Sequence, residues 1–560
     1  MHGHAPPGPS SRITSQPARR HGGDLAVELG LAGQFRLVDS LRRRLQAETP
    51  GAEVATFETH ISFVLVAGGL AYKLKKAVNL GFLDFTSLAS RHHCCLEELR
   101  LNRRLAPALY LDVLPVTGSI DAPSLGGEGQ VIDWVVRMRA FDQRGLWDVL
   151  VAHAALQPSC IDDLVGQLWT FHRAAGVAGP DSSFGDTRAI RQPVRDSLDA
   201  LQARLTTADD LARHAELRRW EAAEFTALAP LMAHRLGEGR VRECHGDLHL
   251  GNVAQVDGRA MVFDGIDFSV ELRWIDVMSE LAFMAMDLQA HARADLAHRL
   301  VNAYLERSGD YGGARLLPYY QVYRALVRAK VAALRDLRPA AAAVAEDKVQ
   351  ATRSATVDPM RRYLELAWDG ARPRRPALLV THGCSGSGKT TATQSLLETM
   401  GAVRIRADVE RKRLFGLDAA QHSGSSLNGG LYDSTTTQAT YARLCDLAAP
   451  ALLAGMVVLL DATFLQRGQR DQARALAARH QVPFMLLDFD ADVPTLRSRI
   501  AARAERGGDA SEADLSVLQL QLDSAQALGD DEQAQCHRCR STDDAGAAFD
   551  WTPLLERLGR

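Results

Sequence analysis

Gly383-Cys384-Ser385-Gly386-Ser387-Gly388-Lys389-Thr390-Thr391 decides the fold of this chain's second half. The apolar run Ala377-Leu378-Leu379-Val380-Thr381 precedes it and a helix-compatible run, 391–400, follows, so strand, glycine loop and helix stand in the order a phosphate cradle requires. Glycines let successive backbone N–H groups converge on phosphate oxygens, and a helix N-terminus adds partial positive charge. In that arrangement Gly383, Ser385, Gly386, Ser387, Gly388 and Thr391 shape the cradle, Lys389 reaches the β and γ phosphates, and Thr390 holds Mg²⁺.

Downstream, Ala402-Val403-Arg404-Ile405-Arg406 reads as a second strand running into Asp408-Val409-Glu410-Arg411. A carboxylate at a strand's carboxyl edge can deprotonate a hydroxyl while Arg411 holds a phosphate. The same two residues fit an N-cap aspartate and a basic helix surface equally well. Met456-Val457-Val458-Leu459-Leu460-Asp461 is an apolar strand ending in an acid, suited either to the metal or to substrate. With a further buried strand at 481–488, strands alternating with helices predict a parallel α/β sheet. Arg499 and Arg503 lie four apart on one helix face ahead of Gly507-Gly508, where they form a phosphate-closing lid or a solvated basic face.

A chain of 560 residues is too long for one core. With 46% hydrophobic and 24% charged residues and a formal net charge of −3, it has the composition of a globular protein and no general affinity for nucleic acid or membrane surfaces. Eight cysteines scattered through so long a chain suit a reducing cytoplasm, and Cys536-x-x-Cys539 lacks the further ligands that a zinc site needs. Residues 1–22 are rich in Pro, Gly, Ser, Arg and His and read as a disordered arm without a signal-peptide core. No run reaches the ~20 apolar residues of a membrane span. Lysine occurs at only seven positions, 73, 75, 76, 330, 348, 389 and 412, so each is a candidate for a role arginine cannot fill.

In the first half, His60-Ile61-Ser62-Phe63-Val64-Leu65-Val66 and Leu70-Ala71-Tyr72-Lys73-Leu74-Lys75 predict a hairpin joined at Gly68-Gly69. Alternation places Lys73 and Lys75 on one face, facing a nucleotide or blunting an edge strand. Residues 88–105 are helix-like and carry Glu97 and Glu98. His245-Gly246-Asp247-Leu248-His249-Leu250-Gly251-Asn252, followed by Met261-Val262-Phe263-Asp264, supplies the parts of a phosphoryl-transfer site: Asp247 to accept a hydroxyl proton, Asn252 and Asp264 to hold Mg²⁺. The break Asp369-Gly370-Ala371-Arg372-Pro373-Arg374-Arg375-Pro376 marks a linker, 369–376, between domains at 23–368 and 377–560.

On these residues the first half, roughly 55–340, resembles the aminoglycoside phosphotransferase and choline kinase group, which has a protein-kinase-like fold. The resemblance implies that Lys73 is the strand lysine of V-A-I-K, paired with Glu98 or Glu97. It implies that Asp247 is the catalytic base of H-G-D-x-x-x-x-N, that Asp264 is the metal acid with Asp267 competing, and that Asp276 braces the catalytic loop. A G-x-G-x-x-G motif over the phosphates is missing; Gly68-Gly69 stands there instead. The second half, about 376–530, resembles small P-loop kinases of the gluconate kinase, polynucleotide kinase, chloramphenicol phosphotransferase and zeta-toxin type. There Asp408 and Arg411 resemble the polynucleotide kinase base and its arginine, and Arg499 with Arg503 resembles the lid. The whole chain resembles bacterial fusions of an aminoglycoside phosphotransferase-like domain with an AAA-type P-loop ATP-binding domain.

The expectation is a cytoplasmic, bifunctional, ATP- and Mg²⁺-dependent phosphotransferase acting on small-molecule hydroxyl substrates, with no membrane partner and its oligomeric state open. Two other readings stay open: an ATP-binding regulatory protein whose P-loop half switches on hydrolysis, and a polynucleotide 5′-hydroxyl kinase in the second half. The lack of a basic groove interleaved with aromatics weighs against nucleic acid.

Overall fold

The computed structural model describes residues 29–51, 53–81, 83–335, 358–419, 421, 434–506, 510–540 and 549–559. The expected arm at 1–22 lies outside them. The first half opens with helix Leu31–Glu48, which covers a six-stranded antiparallel sheet in the order β1-β2-β3-β6-β4-β5. Its strands are β1 (Ala55–Glu58), β2 (Ser62–Ala67), β3 (Leu70–Lys75), β4 (Tyr110–Gly118), β5 (Pro123–Leu125) and β6 (Val131–Arg139). The β2–β3 turn is the two-residue Gly68-Gly69 link, with φ of +57° and +77° as a type I′ hairpin requires. Because β3 lies between β2 and β6, Lys73 and Lys75 stand inside the sheet, and the edge-strand explanation for them falls away.

Helix Leu88–Asn102, capped by the Ser87 side chain, packs beside this sheet. A helical lobe follows. Its centre is helix Val277–Ala290, twelve of whose residues are buried, so it reads as apolar all round because neighbours enclose it on every side. Helices Pro158–Ala174, Ala208–Gly237, Ala294–Ser308, Leu317–Arg335 and Pro359–Gly370 surround it. Between them run β7 (Val241–Glu243), the hairpin β8 (Val253–Val256) and β9 (Arg259–Val262), and β10 (Trp274–Asp276), which pairs with β7.

The second half is a five-stranded parallel sheet in the order β12-β13-β11-β14-β15. Its strands are β11 (Ala377–His382), β12 (Val403–Arg406), β13 (Val457–Asp461), β14 (Phe484–Asp490) and β15 (Cys536–Arg540). The crossovers are helical, as a parallel sheet demands. The first half is thus α+β, an antiparallel sheet with a helical lobe, and the second half is α/β, a parallel sheet with helical crossovers, which is the layout expected for a kinase-like fold followed by a P-loop domain. Helix Pro359–Gly370 runs two residues into the expected 369–376 break, because the prolines that stop helix and strand begin only at Pro373.

The two halves share buried and part-buried polar contacts through helix Ala294–Ser308. Asn302 Oδ1 accepts from the Arg404 N–H at 2.7 Å, Arg299 pairs with Glu398 at 2.7 Å, and Arg413 donates to the Glu306 carbonyl at 2.6 Å. No helix among the described residues is long and apolar enough to cross a membrane.

Candidate active sites

In the first half, β3 delivers Lys73 into contact with two acids from distant parts of the chain. Its Nζ lies 2.8 Å from Glu98 Oε1 and 2.5 Å from Asp264 Oδ1. Lys75, two residues on and therefore on the same face, bonds the other Glu98 oxygen at 2.7 Å and Asp267 at 2.5 Å. Burial would raise the Glu98 carboxyl, but the two lysines overcome that and hold it near 2, so it stays ionised. Glu97 turns away to Arg100 and Arg273. The competing acids separate by exposure: the Asp264 side chain is 48% exposed beside Lys73, whereas Asp267 is 6% exposed and held by Lys75. Asp264 also has a φ of +62°, uncommon for a residue with a side chain, and its N–H donates to the Tyr110 hydroxyl.

Asp247 lies on the loop between β7 and β8, its side chain 37% exposed. Asn252 Nδ2 donates to the Asp247 carbonyl at 2.9 Å and to its carboxylate at 3.1 Å. Burial would raise the Asp247 carboxyl; the His249 imidazole and the Arg328 guanidinium outweigh it and push the group below the usual range. The loop is tied to the strand that carries Asp264, since His245 Nε2 meets the Phe263 carbonyl at 2.9 Å and the Phe263 N–H donates to the Asn252 carbonyl at 3.0 Å. Gly246 has a φ of +87°, and a Cβ there would stand 2.9 Å from the Leu272 carbonyl oxygen.

The brace of this loop differs from the one expected. Asp276 binds Arg235 at 2.7 and 2.9 Å and caps helix Val277–Ala290 through the Met278 N–H. Glu280, one turn further on, accepts from the His245 N–H at 3.1 Å and the Gly246 N–H at 2.7 Å. Both acids lie on the same short stretch, and only the helix start at Val277 decides which one points at the loop.

In the second half, Gly383, Gly386 and Gly388 have φ of +136°, +85° and +88°. A Cβ on Gly383 would stand 2.3 Å from the Phe489 carbonyl oxygen, and one on Gly386 2.8 Å from that of Leu496. Lys389 opens helix Lys389–Met400 and folds over the loop, donating to the Gly383 carbonyl at 2.9 Å and that of Cys384 at 2.7 Å. Burial lowers the Lys389 ammonium, and Asp461 and Asp408 offset part of that. Ser387 is buried and Thr391 is exposed on the first helical turn. Thr390 Oγ1 donates to Asp461 Oδ2 at 2.7 Å, which places Asp461 at the threonine of the glycine loop. Two hard oxygen donors in contact suit a divalent cation such as Mg²⁺.

Asp408 and Arg411 lie 3.1 Å apart on helix Ala407–Leu414, and the Asp408 charge reaches Lys389. Arg499, on helix Val493–Arg506, has its Nη1 3.6 Å from where a Gly388 Cβ would stand, so it sits over the loop. Arg503, on the same helix, donates to the Ala513 carbonyl at 2.6 Å, and its charge reaches Lys389. Sequence reasoning missed Gln521 on helix Leu515–Ser524, whose Oε1 accepts from the Ser385 N–H at 2.8 Å while its Nε2 donates to Ser385 Oγ at 3.0 Å. No spacing rule links a glutamine to a loop 136 residues away. Cys536 and Cys539 lie on β15; burial lifts their thiols to about 11 and about 12, so they remain protonated.

The Phosphotransferase enzyme family matches residues 85–317, and the AAA domain family matches residues 378–528. A relative, "Uncharacterized protein Rv2004c" from Mycobacterium tuberculosis (strain ATCC 25618 / H37Rv), is 32% identical over 457 residues, covering 81% of this chain and 87% of its own. Among solved structures, a thermostable mutant of aminoglycoside phosphotransferase APH(4)-Ia is 14% identical, with a TM-score of 0.34 over 59% of this chain and 99% of its own. A gluconokinase from Sinorhizobium meliloti 1021 is 18% identical, with a TM-score of 0.23 over 33% of this chain and 90% of its own. The chain therefore belongs to one family with the mycobacterial protein and is an ATP-dependent kinase, a phosphotransferase-family domain followed by a P-loop kinase domain.

Proposed function

We propose that both halves transfer the γ-phosphate of ATP to hydroxyl groups of small molecules, at two separate sites. The observation that supports this most is that each half carries the same three parts: a lysine for phosphate, oxygen ligands suited to Mg²⁺, and an aspartate left partly exposed. In the first half these are Lys73, Asp264 with Asn252, and Asp247; in the second, Lys389, Thr390 with Asp461, and Asp408.

In the first half, Glu98 holds Lys73 in place for the nucleotide's phosphates. Asp247, kept ionised by its neighbours, accepts the proton of the acceptor hydroxyl, and the Asn252 amide fixes the carboxylate's direction. In the second half the glycine loop and Lys389 bind phosphate, Arg499 closes over it, Asp408 takes the hydroxyl proton and Arg411 holds that carboxylate. Mg²⁺ at either site would neutralise charge on the transferring phosphate.

The two-residue Gly68-Gly69 turn favours one second reading. It is a short cover for phosphates, and a first half that binds ATP without transferring it would act as a regulator. A labelled-ATP screen against sugars, nucleosides, aminoglycosides and 5′-hydroxyl oligonucleotides, with Asp247→Asn and Lys389→Ala variants of the full chain, separates the readings. Two acceptor classes, each lost in one variant only, are expected. If every labelled product disappears with Lys389→Ala and none with Asp247→Asn, the first half is the regulator. An oligonucleotide product lost in Asp408→Asn would replace small molecules as the second substrate.

A further inference from the structure

Helix Ala294–Ser308 lies between the two halves and is tied by hydrogen bonds to the machinery of both sites. Toward the second half, Asn302 Oδ1 accepts from the backbone N–H of Arg404 on β12, the edge strand of the parallel sheet. The Arg404 guanidinium continues inward, donating to the Thr390 carbonyl at 2.8 Å and to Gln394 Oε1 at 3.0 Å. Thr390 is the residue whose hydroxyl meets Asp461. One turn before Asn302, His298 Nδ1 meets the Glu398 carbonyl and Arg299 pairs with the Glu398 carboxylate, both at 2.7 Å. The helix that opens at Lys389 is therefore held near both ends.

Two residues beyond Asn302, about 200° around the helix axis, Tyr304 faces the first half. Its hydroxyl meets His172 Nδ1 at 2.7 Å, and His172 Nε2 meets Glu280 Oε1 at 3.1 Å. A carboxylate only accepts, so Nε2 carries the proton of that bond. Glu280 in turn holds the N–H groups of His245 and Gly246, the residues just before Asp247. Arg404, Asn302, Tyr304, His172 and Glu280 are all buried, none more than 6% exposed. Away from water a broken hydrogen bond is costly, so a displaced member of such a chain takes its neighbour with it.

We propose that Tyr304 and His172 are positioning residues that couple the two sites: nucleotide bound in the glycine loop steadies helix Ala294–Ser308 and, through it, the Asp247 loop. The proposal rests on the reading that both halves are working phosphotransferase sites. A nucleotide phosphate competes with the Gly383 and Cys384 carbonyls for the Lys389 ammonium, so binding acts on the first turn of helix Lys389–Met400, where Arg404 is attached. Stiffening that turn reduces the freedom left in the Asp247 loop, and a loop ordered in advance costs less to order for its own nucleotide. By linkage, nucleotide at the first site favours nucleotide at the second by the same factor.

Amide hydrogen exchange across 243–253 in the full chain carrying Lys73→Met, whose first site is silent, reads the coupling. The probe is a non-hydrolysable ATP analogue with Mg²⁺, brought to saturation of the second site as measured by calorimetry. Saturation is expected to slow exchange of the loop at least about fivefold. Adding Tyr304→Phe, which removes a single hydroxyl, should shrink that response below twofold while the affinity for the analogue stays within twofold. Adding Asn302→Ala instead should shrink it from the other side of the helix. No change in loop exchange on saturation overturns the proposal, and so does a response undiminished in either variant. Loss of analogue affinity in Tyr304→Phe also overturns it, because the hydroxyl would then serve the fold rather than the coupling. The full response, lost in both variants but without any Asp247-dependent transfer of label in the parent chain, would keep the coupling and remove the transfer reading from the first half.

Discussion

Replacing Glu280 by glutamine isolates the brace of the catalytic loop. The Glu280 carboxylate, fully buried, accepts from the backbone N–H groups of His245 and Gly246 and meets His172 Nε2 at 3.1 Å. Burial raises this carboxyl, yet the His172 hydrogen bond and the neighbouring imidazoles bring it down to about 2, so the charged form dominates. Glutamine keeps the shape but removes the charge and turns an NH₂ group toward one of the N–H donors. A charge-assisted bond becomes a neutral one, at a cost of about 1 kcal/mol, and a buried donor is left unpaired at roughly 1–3 kcal/mol. The sum, about 3 kcal/mol, corresponds to local opening on the order of a hundredfold more frequent. Amide hydrogen exchange followed by mass spectrometry across 243–253 reads this directly. Exchange there should accelerate by that factor in Glu280→Gln. In Asp276→Asn, which makes the same charge change on the Arg235 side, the loop should change by less than a few-fold. Equal exchange of the loop in Glu280→Gln and wild type would refute the assignment of Glu280 as the brace.

The same carboxylate gives a pH dependence. Its folded value of about 2 lies below the ordinary 4.5, so its contribution is fully present above about pH 4.5 and is lost as pH falls toward 2, up to about 3 kcal/mol in all. Denaturant titrations of Glu280→Gln and wild type should therefore converge as pH falls through that window; a constant gap would contradict the sign. Gly246→Ala forces a Cβ to within 2.9 Å of a backbone oxygen at a φ of +87° and should abolish Asp247-dependent transfer while leaving Lys389-dependent turnover intact. Asp461→Asn should lose Mg²⁺-dependent nucleotide affinity in the second site at least tenfold, measured by calorimetry with and without Mg²⁺; an unchanged metal dependence would move Asp461 to the substrate. Asn302→Ala strands the buried Arg404 N–H and should lower stability by about 1–3 kcal/mol in chemical denaturation.

Sequence carried what is written locally. The glycine loop is nine contiguous residues between a strand and a helix, and its backbone conformations follow from its own glycines. The Lys73–Glu98 contact was reachable because alternation fixes which way Lys73 points, although only packing chose Glu98 over Glu97. What stayed hidden depends on where helices begin and cross. Asp276 and Glu280 are chemically equivalent in the sequence, and the helix start at Val277 separates them. Arg324 and Arg328 look like any i,i+4 basic pair in an arginine-rich chain until the helix is laid against the Gly246 loop. Gln521 reaches Ser385 only through the packing of Leu518 and Leu522 against Leu496, Ile500 and Cys384.

The claim of two ATP-using sites in one chain is met most directly by counting nucleotides. Equilibrium binding of a non-hydrolysable ATP analogue with Mg²⁺ should saturate at two per chain in the wild type. It should saturate at one in Lys73→Met, one in Lys389→Ala, and none in the double variant. A single bound nucleotide in the wild type, lost in Lys389→Ala and unaffected by Lys73→Met, would contradict the account.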